Sequence, residues 1–111
     1  MVRKPDVSSA LVALADPTRR AICQRLAHGR ATAGQLAALF PISRPAVSQH
    51  LRVLREAGLI RTESENRLSA YELVATPLRD VEAWAHRVVS IWENAQYQAM
   101  VHDAELREIM T

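Results

Sequence analysis

At 111 residues and 12.4 kDa the chain has the size of a single domain with one modest core. Its 49% hydrophobic and 23% charged residues exclude a disordered or fibrous protein, and no apolar run approaches the roughly 18 residues needed to span a membrane. One cysteine, Cys23, cannot close an intramolecular disulfide, and the polar start lacks the apolar run of a signal peptide, so a cytoplasmic single domain over residues 1–111 is expected, with its core at about 8–99 and a tail at 100–111.

The net charge of +2 hides an asymmetry. Residues 1–67 carry eleven Lys/Arg against five Asp/Glu, residues 68–111 three against seven, and +6 with −4 gives the total. Between Pro17 and Arg55 stand seven arginines (Arg19, Arg20, Arg25, Arg30, Arg44, Arg52, Arg55) and no acid, a candidate face for a polyanion. A general preference for Arg over Lys accounts for the choice of cation but not for the missing acids.

Taken in chain order, Val7, Leu11 and Leu14 recur at helical spacing in a first helix. Asp16-Pro17 ends it and opens a second, with Asp16 as N-cap and Pro17 at the first helical position. Ile22, Cys23 and Leu26 face inward, and the helix closes at His28-Gly29. Thr32-Ala33-Gly34-Gln35 predicts a capping box for a short third helix whose Leu36, Leu39 and Phe40 form one apolar face, stopped by Pro41. Ser43 is the expected N-cap of a fourth helix that carries Val47, Leu51 and Leu54 inward and ends at Gly58. Leu59 to Glu63 and Leu68 to Val74 have strand composition around a turn at Ser64-Glu65-Asn66-Arg67. A long last helix runs from about Pro77 toward Ala99, followed by a weaker, partly helical tail. Two short helices joined by a tight turn and followed at once by a hairpin make a mainly α fold with a small β-hairpin, a winged helix-turn-helix.

With Val47, Leu51 and Leu54 inward, a 3.6-residue period places Arg44, Ser48, Gln49, Arg52 and Arg55 outward. That face has the chemistry of a DNA recognition helix: small hydroxyls that let it settle into the major groove, a Gln able to pair with adenine, and arginines for guanine or phosphate. An ordinary solvated face mixes Glu with Arg as i,i+4 pairs, and this one has no acid until Glu56.

Ala13-Leu14-Ala15-Asp16-Pro17-Thr18-Arg19-Arg20 and Ser43-Arg44-Pro45-Ala46-Val47-Ser48-Gln49-His50-Leu51, with Ala57-Gly58-Leu59 and Tyr71-Glu72-Leu73, resemble the ArsR/SmtB family of winged-helix repressors. The resemblance covers roughly residues 8–95. It implies a homodimeric, cytoplasmic repressor of double-stranded DNA whose affinity responds to an inducer, with Ser43, Arg44, Ser48, Gln49 and His50 on the recognition helix and Arg52 on a phosphate. His50 is read equally as a hydrogen-bonding residue at the edge of the core. The hairpin tip departs from the family's Gly-Arg pair: it has Asn66-Arg67, preceded by Glu63 and Glu65, and Arg67 is the candidate wing contact. Arg61 is an alternative contact along the DNA backbone.

No metal site and no cofactor is expected. Residues 35–40, where metal-sensing members of the family place thiolates, hold none, and Asp80-x-Glu82 with Glu93-x-x-Gln96 offers no imidazole. Cys23 sits on an apolar face and reads as a core residue. In the last helix Leu78, Val81, Ala85, Val88, Trp92, Ala95 and Ala99 recur at steps of three and four, with Trp84 and Ile91 beside them. A stripe that wide predicts a twofold dimer interface formed with the first helix, Leu11 included. A small-molecule effector, if the protein has one, is expected to be apolar and to enter near Trp84 and Trp92. No Ser-His-Asp order, Gly-rich phosphate loop or convergent carboxylate pair suggests an enzyme. The competing reading, a winged-helix module that binds protein, calls for an acidic or apolar outer face on the fourth helix, and this face is basic and hydroxylic.

Overall fold

The computed structural model describes residues 7–64 and 68–110. Their order is α1 (Val7–Leu14), α2 (Pro17–Leu26), β1 (Ala31–Thr32), α3 (Ala33–Ala37), α4 (Arg44–Glu56), β2 (Ile60–Thr62), β3 (Ala70–Leu73) and α5 (Thr76–Met110). Residues up to Val81 form one compact unit, and those from Glu82 onward a second.

Local chemistry sets the helix ends. Asp16, in extended conformation, accepts from the backbone N–H of Arg19 at 3.0 Å, and Pro17 follows in the first turn. Thr32 and Gln35 close a reciprocal box: the Thr32 hydroxyl accepts from the Gln35 amide at 3.1 Å, and the Gln35 side chain accepts from the Thr32 amide at 2.8 Å. Gly58, at φ 75°, ends α4 in the left-handed region. There its N–H reaches the Arg55 carbonyl at 3.0 Å while the Leu59 N–H reaches the Leu54 carbonyl at 3.0 Å, and both leucines are fully buried.

The first unit closes around Ile22 of α2, Leu36 of α3, Val47 and Leu54 of α4, and Leu59-Ile60 at the start of β2. Removing such side chains from water is the main term that holds three short helices together. The sheet is antiparallel in the order β1-β3-β2, with Ala31 opposite Tyr71, Thr32 opposite Ala70, and Arg61 opposite Glu72.

Four expectations need correction. The hairpin is the larger part of a three-stranded sheet, because the two residues of β1, too few to show a period, pair with β3 just before Thr32 caps α3. The strands are also shorter than their composition suggested. α3 stops at Ala37, since the amides of Leu39 and Phe40 turn back to the carbonyls of Leu36 and Ala37, and this tighter turn leaves Leu39 54% exposed. α1 buries Ala10 and Ala13, and its Leu11, assigned above to the dimer surface, is 41% exposed. The tail is helical as far as Met110: residues 100–110 continue α5 and include no Gly or Pro, helped by an Arg107 to Asp103 ion pair of 3.1 Å at i,i+4 spacing.

Candidate nucleic-acid interface

α4 is positioned from both ends and from below. Ser43, in extended conformation, caps it by accepting from the Ala46 amide at 3.3 Å, and Pro45 takes a first-turn place where an N–H has no helical partner. Val47, Leu51 and Leu54 lie at or below 3% exposure, so the helix cannot rotate without uncovering them. The opposite side therefore faces solvent, and Ser43, Arg44, Ser48, Gln49 and Arg52 are all exposed. Arg44 and Ser48 also line a shallow cleft of about 200 Å³ with Ala33, Gly34 and Ala37, where α3 meets α4.

His50 is placed differently. It is half-buried and turned toward the start of α2, with Nδ1 3.3 Å from Arg19 Nη1 and 3.9 Å from Asp16 Oδ2. Arg55, expected outward, is also half-buried.

Residues 14–63 match the family described as a helix-turn-helix domain. Over 76 residues the chain is 51% identical to the HTH-type transcriptional regulator Rv2034 of Mycobacterium tuberculosis, covering 68% of this chain and 69% of that one. It is 34% identical over 88 residues to the transcriptional repressor SdpR of Bacillus subtilis, covering 79% of this chain and 98% of the relative. The crystal structure of an ArsR family transcriptional regulator superposes with a TM-score of 0.74 at 36% identity, covering 84% of this chain and 97% of that one. The chain belongs to the ArsR/SmtB family. As a member it is a DNA-binding transcriptional regulator, and the family is not an enzyme class.

Within this ArsR-type frame the acid-free run of arginines does not form one face. Arg19 Nε donates to the Ala13 carbonyl at 2.6 Å, and Arg20 Nη1 donates to those of Leu14 and Ala15 at 2.8 and 3.1 Å, so both satisfy the open carbonyls at the end of α1. Arg25 donates to the Gly29 carbonyl at 3.0 Å. Arg30 reaches Glu72 Oε2 at 2.9 Å. On α4 the run contributes the exposed Arg44 and Arg52, while Arg20 and Arg30, also exposed, are bonded to the end of α1 and to Glu72.

Glu72 also accounts for Arg61. Rather than lying free along the strand, Arg61 pairs through Nε with Glu72 Oε1, directly across the β2–β3 register. Hydrogen bonds from Arg61 first and Arg30 second hold the Glu72 carboxyl below the ordinary carboxylate range. The backbone bond from Arg19 lowers Asp16 and outweighs the opposing effect of burial, and the nearby charges of His50 and Arg19 add smaller lowering effects. Burial pushes the Cys23 thiol up, as expected for a core cysteine. The wing tip with Arg67 lies outside the described residues.

Of the residues assigned to a dimer, Leu78 and Val81 are half-buried and pack against the core of their own unit. Ala85 is half-buried, Ala95 is exposed, and Trp84, Val88 and Trp92 are 44%, 48% and 61% exposed. Among the described residues no helix is long and apolar enough to cross a membrane, and no three His, Cys, Asp or Glu side chains are grouped as metal ligands. Sequence reasoning missed the roles of Arg19 and Glu72. Their only signal was charge, and charge alone does not say which carbonyl or carboxylate a guanidinium meets.

Proposed function

We propose that the protein is a homodimeric repressor that sets α4 of each copy into successive major grooves of an imperfect palindrome. The observation that carries this reading is the outer face of α4, where Arg44, Ser48, Gln49 and Arg52 are all exposed opposite a fully buried stripe. In it Gln49 reads a base edge, Arg52 and Arg44 meet phosphates or guanine, and the capped N-terminus at Ser43 directs its partial positive charge at the backbone. Arg67 is the wing's contact. The dimer forms through the exposed apolar surfaces of α1, at Leu11, and of α5, at Trp84, Val88 and Trp92, with Ala85 and Ala95 allowing close approach.

The protein works in the cytoplasm beside the DNA it binds. Zn(II), Ni(II) and arsenite leave its operator affinity unchanged, and an effector, where one acts, is an apolar small molecule received near Trp84 and Trp92. Footprinting on the DNA upstream of its own gene tests the reading. It is supported by symmetric protection with half-site centres roughly 34–36 Å apart, and a monomer protecting one unsymmetrical half-site overturns it.

A further inference from the structure

Arg19 links α1 to α4 through polar contacts. Its Nε donates to the Ala13 carbonyl at 2.6 Å and its Nη2 to the Val12 carbonyl at 3.4 Å, both in the last turn of α1. Its Nη1 lies 3.3 Å from His50 Nδ1, in the middle of α4. A guanidinium can only donate, so the ring nitrogen that meets it must offer a lone pair. Asp16 makes the opposite demand on the same atom, since a carboxylate favours a proton on Nδ1. Its Oδ2 is 3.9 Å away, however, beyond hydrogen-bonding distance, and already accepts from the Arg19 backbone at 3.0 Å. For a neutral ring the nearer contact favours Nδ1 as the acceptor, which leaves the ring proton to Nε2. Among the described residues the hydrogen bond of the His50 ring is the one at Nδ1, and none is made at Nε2. His50 follows Gln49 and precedes Arg52 by two positions on the helix that carries the exposed polar face.

We propose that Arg19 is a positioning residue for DNA binding: it fixes the His50 imidazole as a neutral Nε2–H donor for a DNA backbone phosphate, and its grip on the α1 carbonyls holds α4 in register. The inference rests on the α4 reading above. His50 thereby differs from Arg52. It contributes a directed hydrogen bond without a cation, and so without counterion release.

Two measurements test it. Nitrogen-15 NMR of the free protein, above the pH at which imidazole titrates, reports the tautomer: wild type shows a single Nε2–H form, and Arg19→Ala relaxes toward a mixture. Operator titrations across salt concentration then compare variants. His50→Asn keeps an acceptor near Nδ1 but has no group at Nε2, and it weakens binding about tenfold over the two half-sites at an unchanged salt slope. Arg19→Ala combined with His50→Asn binds no worse than Arg19→Ala alone. His50→Gln, which returns a donor to the Nε2 position without needing a fixed tautomer, recovers most of the affinity.

An Nδ1–H ring or a tautomer mixture in wild type overturns the inference, as does a salt slope lowered by about one in His50→Asn, which marks a charged contact. Strictly additive losses overturn it too. Should Arg19→Ala fail to fold through loss of its α1 bonds, the wild-type spectrum and the two His50 variants still decide. The outcomes separate cleanly from the underlying reading: a symmetric footprint with an Nδ1–H ring defeats this inference alone, whereas an unsymmetrical footprint defeats the reading beneath it.

Discussion

Over 13 residues α4 sends Val47, Leu51 and Leu54 completely into the core and finishes its other side with Arg44, Ser48, Gln49 and Arg52. α5 is 35 residues long and has no buried residue, although Val88, Ile91, Trp92, Met100 and Ile109 give it as much apolar material as any helix here. Both are amphipathic by pattern, and the difference lies in what each apolar stripe meets. The stripe of α4 matches the width of its own core, so the remaining surface is polar and free for a polyanion. The stripe of α5 leaves Val88, Ile91, Trp92, Met100 and Ile109 exposed, and this is the surface that the proposed dimer covers.

The comparison breaks first at its buried side. Leu54→Ala removes a fully buried side chain from the base of α4 and is expected to cost about 3 kcal/mol, read as a lowered thermal midpoint. A loss below about 1 kcal/mol contradicts the claim that α4 is held from beneath. Trp92→Asp places a charge on the exposed stripe of α5. It is expected to leave the fold intact and to weaken self-association by about 2 kcal/mol or more, with operator affinity falling in step. Sedimentation that shows an unchanged dimer removes α5 from the interface.

The outer face of α4 is sharpened by a pair of smaller changes. Gln49→Ala is expected to relax base preference at one position per half-site by about 1–2 kcal/mol, while Arg52→Ala weakens all sequences alike and lowers the salt slope by about one per contact. An unchanged ratio of specific to nonspecific affinity in Gln49→Ala would falsify its base-reading role.

The smallest expected effect concerns acid. Asp16 and Glu72 have folded pKa values below their ordinary values of 3.8 and 4.5, so the unfolded chain takes up protons first as pH falls. The stability they contribute is fully present above those ordinary values and is lost as pH drops through the lowered ones. Both carboxyls are solvent-exposed enough for the effect to be slight. Thermal midpoints of Glu72→Gln measured from neutral pH downward should fall less steeply than those of wild type.

Much of this molecule is legible in one dimension. The caps at Asp16, Thr32 and Ser43, the glycine stop at Gly58, and the buried positions of α4 all follow from interactions within a few residues, where side-chain type and spacing are the whole cause. So does the winged helix-turn-helix order. Only the tertiary structure decided where the long-range pairs fall. Glu72 gathers Arg30 from 42 positions away and Arg61 from 11, Arg19 reaches His50 across 31, and two residues of β1 become a strand only because β3 lies beside them. The physical reason is the reach and indifference of charge. A guanidinium can donate to a carbonyl, a carboxylate or an imidazole, whichever is brought within hydrogen-bonding distance, and that distance is a property of the folded chain, whereas a helix cap or an apolar period is settled by neighbours along the chain.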